Sequence, residues 1–291
     1  MLFSSSTFVP QQKLGTVEGI RAMIDAGFPA LDMSFFAASW LFTHEGDKIA
    51  VAKELRALAD DRGVIFNQAH APFGPTDVFY EKYFPKFAEM FECCSVLGVQ
   101  NVIVHPLHHL RYYGNEEALF DINMEFYTSI KHFAEETGIR IALENMWQRH
   151  PQNSHIVDSV CADPEELCRY YDTLNDPRHF TVCLDLGHVA ICGREPEDAI
   201  RVIGHDRLGA LHVHDVDYVS DLHLAPGASK LNWDNICRAL GEIDYGGVFT
   251  LEADNFYRKA DKEFYPTVLK FMADNARYLA GKVDTYRTSL S

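Results

Sequence analysis

Asp185 and His188 sit in the run Thr181-Val-Cys-Leu-Asp-Leu-Gly-His188, where a short apolar segment gives way to a glycine. A carboxylate and an imidazole at the end of a strand, with a backbone free to curl at Gly187, can share one metal ion or one substrate hydroxyl. The same event recurs along the chain. His70 lies in Gln-Ala-His-Ala-Pro, His105 in Val-Ile-Val-His-Pro and Glu144 in Ala-Leu-Glu-Asn. His212 and His214 share Leu-His-Val-His-Asp, Asp221-Leu-His223 follows, and Glu252 lies in Phe-Thr-Leu-Glu-Ala. A lone histidine at a strand end is more often a hydrogen-bonded structural residue. A glutamate that closes an apolar strand is less innocent, because an ionised carboxylate is costly to bury unpaired. His212 and His214 alternate onto one side of a strand, so one reads as a ligand and the other as a solvent-facing or supporting residue. Asp215 and Asp217 read as surface or capping residues. Taken together, so many acceptors with no Lys or Arg beside them repel one another unless a divalent cation sits among them. Oxygen and imidazole ligands suit Mn, Co, Mg or Zn; a carboxylate-rich set leans to the first three and a histidine-rich set to Zn.

Strands must bring these residues to one place. Short apolar runs are predicted as strands at Leu2-Phe3, 30–35, 64–70, 101–105, 139–144, 181–185, 208–214 and 247–252. Amphipathic stretches alternate with them and are predicted as helices at 16–26, 48–62, 80–97, 116–137, 164–174, 196–203, 233–240 and 264–280. Gly27, Gly63, Gly98 and Gly138 punctuate the helix ends, and Asp163-Pro164-Glu165-Glu166 opens a helix with a cap, a proline and early acids. Eight strand–helix units predict a (β/α)8 TIM barrel, an α/β fold, as a single domain over residues 1–291. An open doubly wound sheet would need a glycine-rich phosphate turn after the first strand; Ser4-Ser-Ser-Thr7 stands there instead. In a barrel every strand-end residue named above converges on one mouth. The irregular stretches 36–46 and 147–161 would cover that mouth as lids.

Bulk properties limit the partners. Net charge is −16 over 291 residues with no basic cluster, which argues against nucleic acid. No run approaches the roughly 20 apolar residues of a membrane span. The first residues lack the pattern of an export signal, and the seven cysteines are odd in number and scattered; both features predict a cytoplasmic protein.

On Leu143-Glu144-Asn145, Leu184-Asp185-Leu-Gly-His188, Leu211-His212-Val-His-Asp215, Asp221-Leu-His223-Leu-Ala-Pro-Gly227 and Leu251-Glu252, the chain resembles the xylose-isomerase-like barrel superfamily. That group holds sugar and sugar-phosphate isomerases and epimerases and the endonuclease IV type of nuclease. The resemblance to its ketose 3-epimerases implies one metal held by Glu144, Asp185, His212 and Glu252, with the two glutamates as acid and base and His188 on the substrate. The resemblance to its nucleases implies a zinc cluster that also takes in His70, His105, His188, Asp221 and His223. Tyr218 stands where the epimerases place an arginine, Ser229 replaces a frequent glycine, and the loop 36–47 lacks the basic residues of the nucleases.

The reading that follows is a metal-dependent isomerase or epimerase of a sugar or sugar phosphate, working through an enediolate. A multi-zinc hydrolase of a phosphodiester or other small substrate is the alternative, and a non-catalytic sugar- or metal-binding barrel the second. Phe36, Trp40, Phe73 and Trp147 are candidates to pack on sugar, with Phe73 and Trp147 taken as substrate-binding. Arg149, Arg194 and Lys230 are candidate phosphate anchors. Barrels of this kind often pair, so a homo-oligomer is compatible with the sequence.

Overall fold

The computed structural model describes residues 1–75 and 78–288. In chain order the strands are β1 (Phe3–Ser5), β2 (Ala30–Ser34), β3 (Ile65–His70), β4 (Asn101–Val104), β5 (Arg140–Glu144), β6 (Trp147–Arg149), β7 (Ile156–Asp158), β8 (Phe180–Asp185), β9 (Leu208–His212) and β10 (Phe249–Leu251). β2-β3-β4-β5-β8-β9 form one parallel sheet in that order, and β1 pairs in parallel with β10. Single bridges, Ser6 to Asp32 and Val213 to Leu251, join the two sets and close the barrel. The expected TIM barrel is therefore the observed architecture, with helices between successive barrel strands.

Several elements differ from expectation for local reasons. The predicted helix from Tyr80 begins instead as a π-helical turn (Phe79–Tyr83) and a 3-10 turn (Phe84–Lys86), with regular helix only over Phe87–Leu97. Pro85 supplies no N–H to an α-helical ladder, so the entry is irregular. Short helices at Phe8–Leu14, Trp40–Thr43 and Leu186–Ile191 add to the expected set. The stretch after Glu144 is not wholly irregular, because β6 and β7 fold back as an antiparallel hairpin.

The main apolar core lies between strands and helices and includes Ile20, Leu55, Phe91, Tyr127, Leu167, Ile200 and Met272. A separate buried cluster joins Ile103 to three smaller side chains, Ala142, Cys183 and Ala210, from four neighbouring strands. The β1–β3 and β10 side of the interior is polar. There Ser4 Oγ donates to Thr250 Oγ1 at 2.8 Å, and Gln68 Nε2 donates to Asp32 Oδ2 at 3.3 Å. The β2–β3 register shifts between Leu31 and Asp32, and such a bulge re-aims the side chain that follows it.

Candidate active site

Parallel strands deliver their last residues to one rim, and this rim is crowded. Glu144 ends β5, Asp185 ends β8, His212 ends β9 and Glu252 follows β10. One ligand-type atom from each of these four lies within 4.8 Å of those of the others. His212 Nδ1 is 2.7 Å from Glu144 Oε1 and 3.6 Å from Glu252 Oε2. His70 Nε2 and His105 Nε2 approach Glu144 Oε2 at 3.6 and 3.0 Å. His188, His214, Asp221 and His223 form an adjoining group of the same compactness, with His223 Nε2 3.1 Å from Asp221 Oδ1. All nine residues proposed from the sequence as ligands thus meet at one mouth, with His214 among them.

The electrostatics follow from burial and partners. Burial alone would raise the Glu144 carboxyl, but His212 and His105 hold it well below the usual carboxylate range. Asp185 is likewise opposed by burial yet held to about 2 by His188 and His214. Burial depresses His105 to about 4, despite Glu144 beside it. His223 rises well above its ordinary value, because Asp221 outweighs burial. Among the described residues, none of Glu144, Asp185, Asp221 and Glu252 pairs with a Lys or Arg; their ionic partners are histidines.

Does this donor set fit a divalent cation? Three histidines turn Nδ1 to a backbone carbonyl: His70 to Ala71 O at 2.8 Å, His188 to Asn145 O at 2.9 Å and His223 to Glu252 O at 2.7 Å. A carbonyl only accepts, so Nδ1 carries a proton and Nε2 is the nitrogen turned toward the site, where a cation would displace any proton and take its lone pair. Glu144 Oε2 and His212 Nε2 are buried without a hydrogen bond of proper geometry, although His105 Nε2 lies 3.0 Å from that oxygen. Orphaned buried donors and acceptors are costly, and a cation bound among them would satisfy the carboxylate oxygen. The residues fit.

Two acids that the sequence reading passed over belong here. Asp32 is buried on β2, with Oδ2 3.6 Å from His212 Nε2. At that distance its charge lies behind the imidazole without a hydrogen bond of proper geometry, and a carboxylate so placed raises the basicity of a ligating histidine. Its signal was an acid inside the apolar run 30–35. Asp254 lies buried beside the cavity and accepts from Ser6 Oγ at 3.3 Å; burial, then the Glu252 charge, pushes it up to about 7.

Of the two places left open for His214, the structure gives the supporting one: it is buried, its Nε2 lies 3.0 Å from Asp185 Oδ1, and its ring stacks on His223 at 4.0 Å. Gly187 is required by close approach, since a Cβ there would overlap the His214 imidazole. Other expectations need correction. Asp215 is no surface residue. It is fully buried and accepts from Gly227 N, Ser229 N, Leu231 N and Trp233 Nε1, which pins the loop carrying Asp221 and His223. Arg194 is held by Asp158 and Asp163, and Lys230 reaches the Asp217 carbonyl at 3.3 Å; neither lines the cavity. Tyr218 bonds Glu195 Oε2 at 2.8 Å and takes no part in the mouth.

The mouth opens into a cavity of about 790 Å³. His70, His105, Glu144, His188, Asp221, His223 and Glu252 line it, while Asp185 and His212 lie behind that surface. Phe36, Phe73 and Trp147 reach it; Trp40 does not, being buried against Phe35. Arg149 and a residue not singled out from the sequence, Arg258, also reach it.

A family model described as xylose isomerase-like TIM barrel matches residues 20–274. The chain belongs to that family. An uncharacterised protein of Methanocaldococcus jannaschii is 26% identical over 263 residues, which cover 87% of this chain and 83% of that one. A solved D-tagatose 3-epimerase-like protein superposes with a TM-score of 0.75 at 19% identity, over 100% of both chains. The IOLI protein, solved with a bound zinc atom, superposes with a TM-score of 0.72 at 18% identity, over 98% of this chain and 99% of that one. At these identities the two structures are relatives in fold. Among the described residues, no helix is long and apolar enough to cross a membrane.

Proposed function

We propose that residues 1–291 form one catalytic barrel, a divalent-metal-dependent isomerase or epimerase of a sugar. The observation that carries this reading is the convergence of Glu144, Asp185, His212 and Glu252 within 4.8 Å of one another, with the two glutamates lining the cavity. The epimerase-like and zinc-bound fold relatives support it. These four residues would hold the ion, which when bound would supply Lewis-acid polarisation of a substrate carbonyl. The chain's own carboxylates then do the proton work. One of Glu144 and Glu252 takes the proton from the carbon next to the carbonyl, and the other returns one. His212 holds the position of Glu144, and His214 that of Asp185. His188, at the cavity surface, is placed to bond a substrate hydroxyl, and Phe73 and Trp147 to contact its carbon face.

The adjoining group of His188, His214, Asp221 and His223 favours one second reading, a multi-zinc hydrolase. Metal analysis of protein purified without chelator separates the two. About one ion per chain, with Glu144→Gln and Glu252→Gln abolishing solvent-deuterium exchange into a ketose but not sugar binding, supports the epimerase. Two or three zinc ions per chain with phosphodiester cleavage overturns it. Full turnover in both variants would reject catalysis by these glutamates.

A further inference from the structure

At the end of the barrel opposite the mouth, the starts of β3, β4, β5, β8 and β9 enclose a second cavity of about 340 Å³. Cavities that hold small ligands span about 300–1,000 Å³. A barrel interior is ordinarily filled by layers of bulky apolar side chains. Here Asn67 on β3, Asn101 on β4 and Arg140 on β5 line the space instead, with the exposed His205 and Asp206 at its rim.

Two groups of this lining are left without partners. Gln68 Nε2 donates to Asp32 Oδ2 at 3.3 Å and to Leu211 O at 3.4 Å. Both of those oxygens accept, so the Gln68 amide is oriented and its Oε1 accepts from Asn67 Nδ2 at 3.2 Å. The Asn67 amide is thereby fixed as well. Its Oδ1 has no donor, on a side chain only 4% exposed. The second group is the Arg140 guanidinium. Its Nε donates to Asn101 Oδ1 at 3.0 Å, while Asn101 Nδ2 donates to Gly209 O at 3.2 Å. Among the described residues, the terminal amino groups of Arg140 make no hydrogen bond and no acid pairs with them. Arg140 also borders a neighbouring groove, but Asn101 lines this cavity alone, so the Nε bond holds the fork here. His205 spends Nδ1 on the carbonyls of Ile243 and Asp244, at 3.1 and 2.9 Å, and offers Nε2.

An unpaired planar fork matches a carboxylate, which takes two parallel N–H bonds from it. An orphaned buried carbonyl oxygen is costly until a donor reaches it. Water can serve that oxygen, but it leaves the guanidinium without a counter-ion. A cation would meet Arg140, and a phosphate dianion would meet a single fork already opposed by the Asp206 carboxylate at the rim. We infer that this end of the barrel is a second binding site, for a small carboxylate that carries a hydroxyl. The carboxylate sits on the Arg140 fork and the hydroxyl donates to Asn67 Oδ1. The site does not depend on the chemistry proposed for the mouth.

The test is titration of the zinc-loaded full chain, followed by calorimetry and by NMR of backbone amides. The probes are lactate and 3-hydroxybutyrate, their hydroxyl-free counterparts propionate and butyrate, and inorganic phosphate. At least one hydroxy acid is expected to shift the amides of Gly246, Gly247 and Val248, which border the cavity, and to bind about fivefold more tightly than its hydroxyl-free counterpart. Arg140→Met is expected to weaken binding about tenfold or more. Arg140→Lys keeps the charge and loses the fork, and is expected to weaken it about fivefold; it carries the test if the methionine variant does not fold. Unchanged amide shifts at Asn145 and Gly187 check that the mouth is intact in both variants. No saturable shift at the cavity amides, tighter binding of phosphate than of either hydroxy acid, equal affinity with and without the hydroxyl, or full affinity in the Arg140 variants overturns the inference. Shifts confined to Asn145 and Gly187 mean chelation of the zinc at the mouth and overturn it too.

Discussion

Removing the Asp215 carboxylate tests how the mouth is held. This fully buried side chain accepts four hydrogen bonds: Gly227 N at 2.8 Å, and Ser229 N, Leu231 N and Trp233 Nε1 each at 3.0 Å. Three of the four end on Oδ2. Asp215→Ala leaves all four donors without their acceptor, at about 1–3 kcal/mol for each one that stays buried. The bonds from Leu231 N and Trp233 Nε1 are buried and those from Gly227 N and Ser229 N only partly so, so the lower bound is about 2 kcal/mol, a sizeable share of the roughly 5–15 kcal/mol that stabilises a typical fold. Asp215→Asn keeps an oxygen for the three donors on Oδ2 and turns an amide N–H toward Leu231 N, so it should cost less, about 1 kcal/mol. For a protein of this size each kcal/mol moves Tm by about 2–4 °C, so a fall of about 4 °C or more is expected for the alanine variant and about half that for asparagine. If the loop melts locally, the energy appears instead as faster amide exchange at Gly227, Ser229 and Leu231. Urea titration and hydrogen exchange together capture both routes. A Tm within about 2 °C of the parent and unchanged exchange at those amides would refute the reasoning.

Gly187→Ala drives a Cβ into the His214 ring and should cost about 1–3 kcal/mol while weakening zinc binding; unchanged Tm and unchanged zinc affinity by calorimetry would count against the role given to His214. Chelation should lower Tm, because a ligand at a hundredfold its Kd stabilises by about 2.7 kcal/mol; a melting curve indifferent to EDTA and to re-added Mn or Zn would argue that no ion occupies the site. Away from the mouth, Asp176 is opposed by burial yet held to about 2 by His179 and then Lys131. Its folded value lies below the unfolded one, so its contribution is present above roughly pH 4 and lost as pH falls toward about 2. Asp176→Asn should flatten that part of the stability–pH curve, and a curve with an unaltered acid limb rejects the assignment.

Much of the site could be read before any coordinates, because strand ends are marked locally. A run such as Val-Ile-Val followed by His105-Pro, or Ala-Leu followed by Glu144-Asn, declares both a strand and the residue at its tip. Once the count of strand–helix units implies a barrel, those tips share a mouth by geometry. Helix limits were readable for the same reason: the helix over Glu116–Thr137 ends at Gly138 with φ 73°, a backbone state that glycine adopts without cost.

What remained hidden depends on residues far apart in the chain. Asp32 looks like an oddity in an apolar strand until β9 brings His212 to within 3.6 Å of it. Asp215 looks exposed in Val-His-Asp-Val-Asp until the following loop folds its amides back upon it. Arg194 looks free to bind phosphate until the β6–β7 hairpin presents Asp158. Residue type and period determined the barrel and the chemistry available at its rim, since both follow from local backbone preference and side-chain pattern. Tertiary structure decided which nitrogen faces which oxygen and which charges are already paired, because burial and charge partners are set by contacts across the barrel.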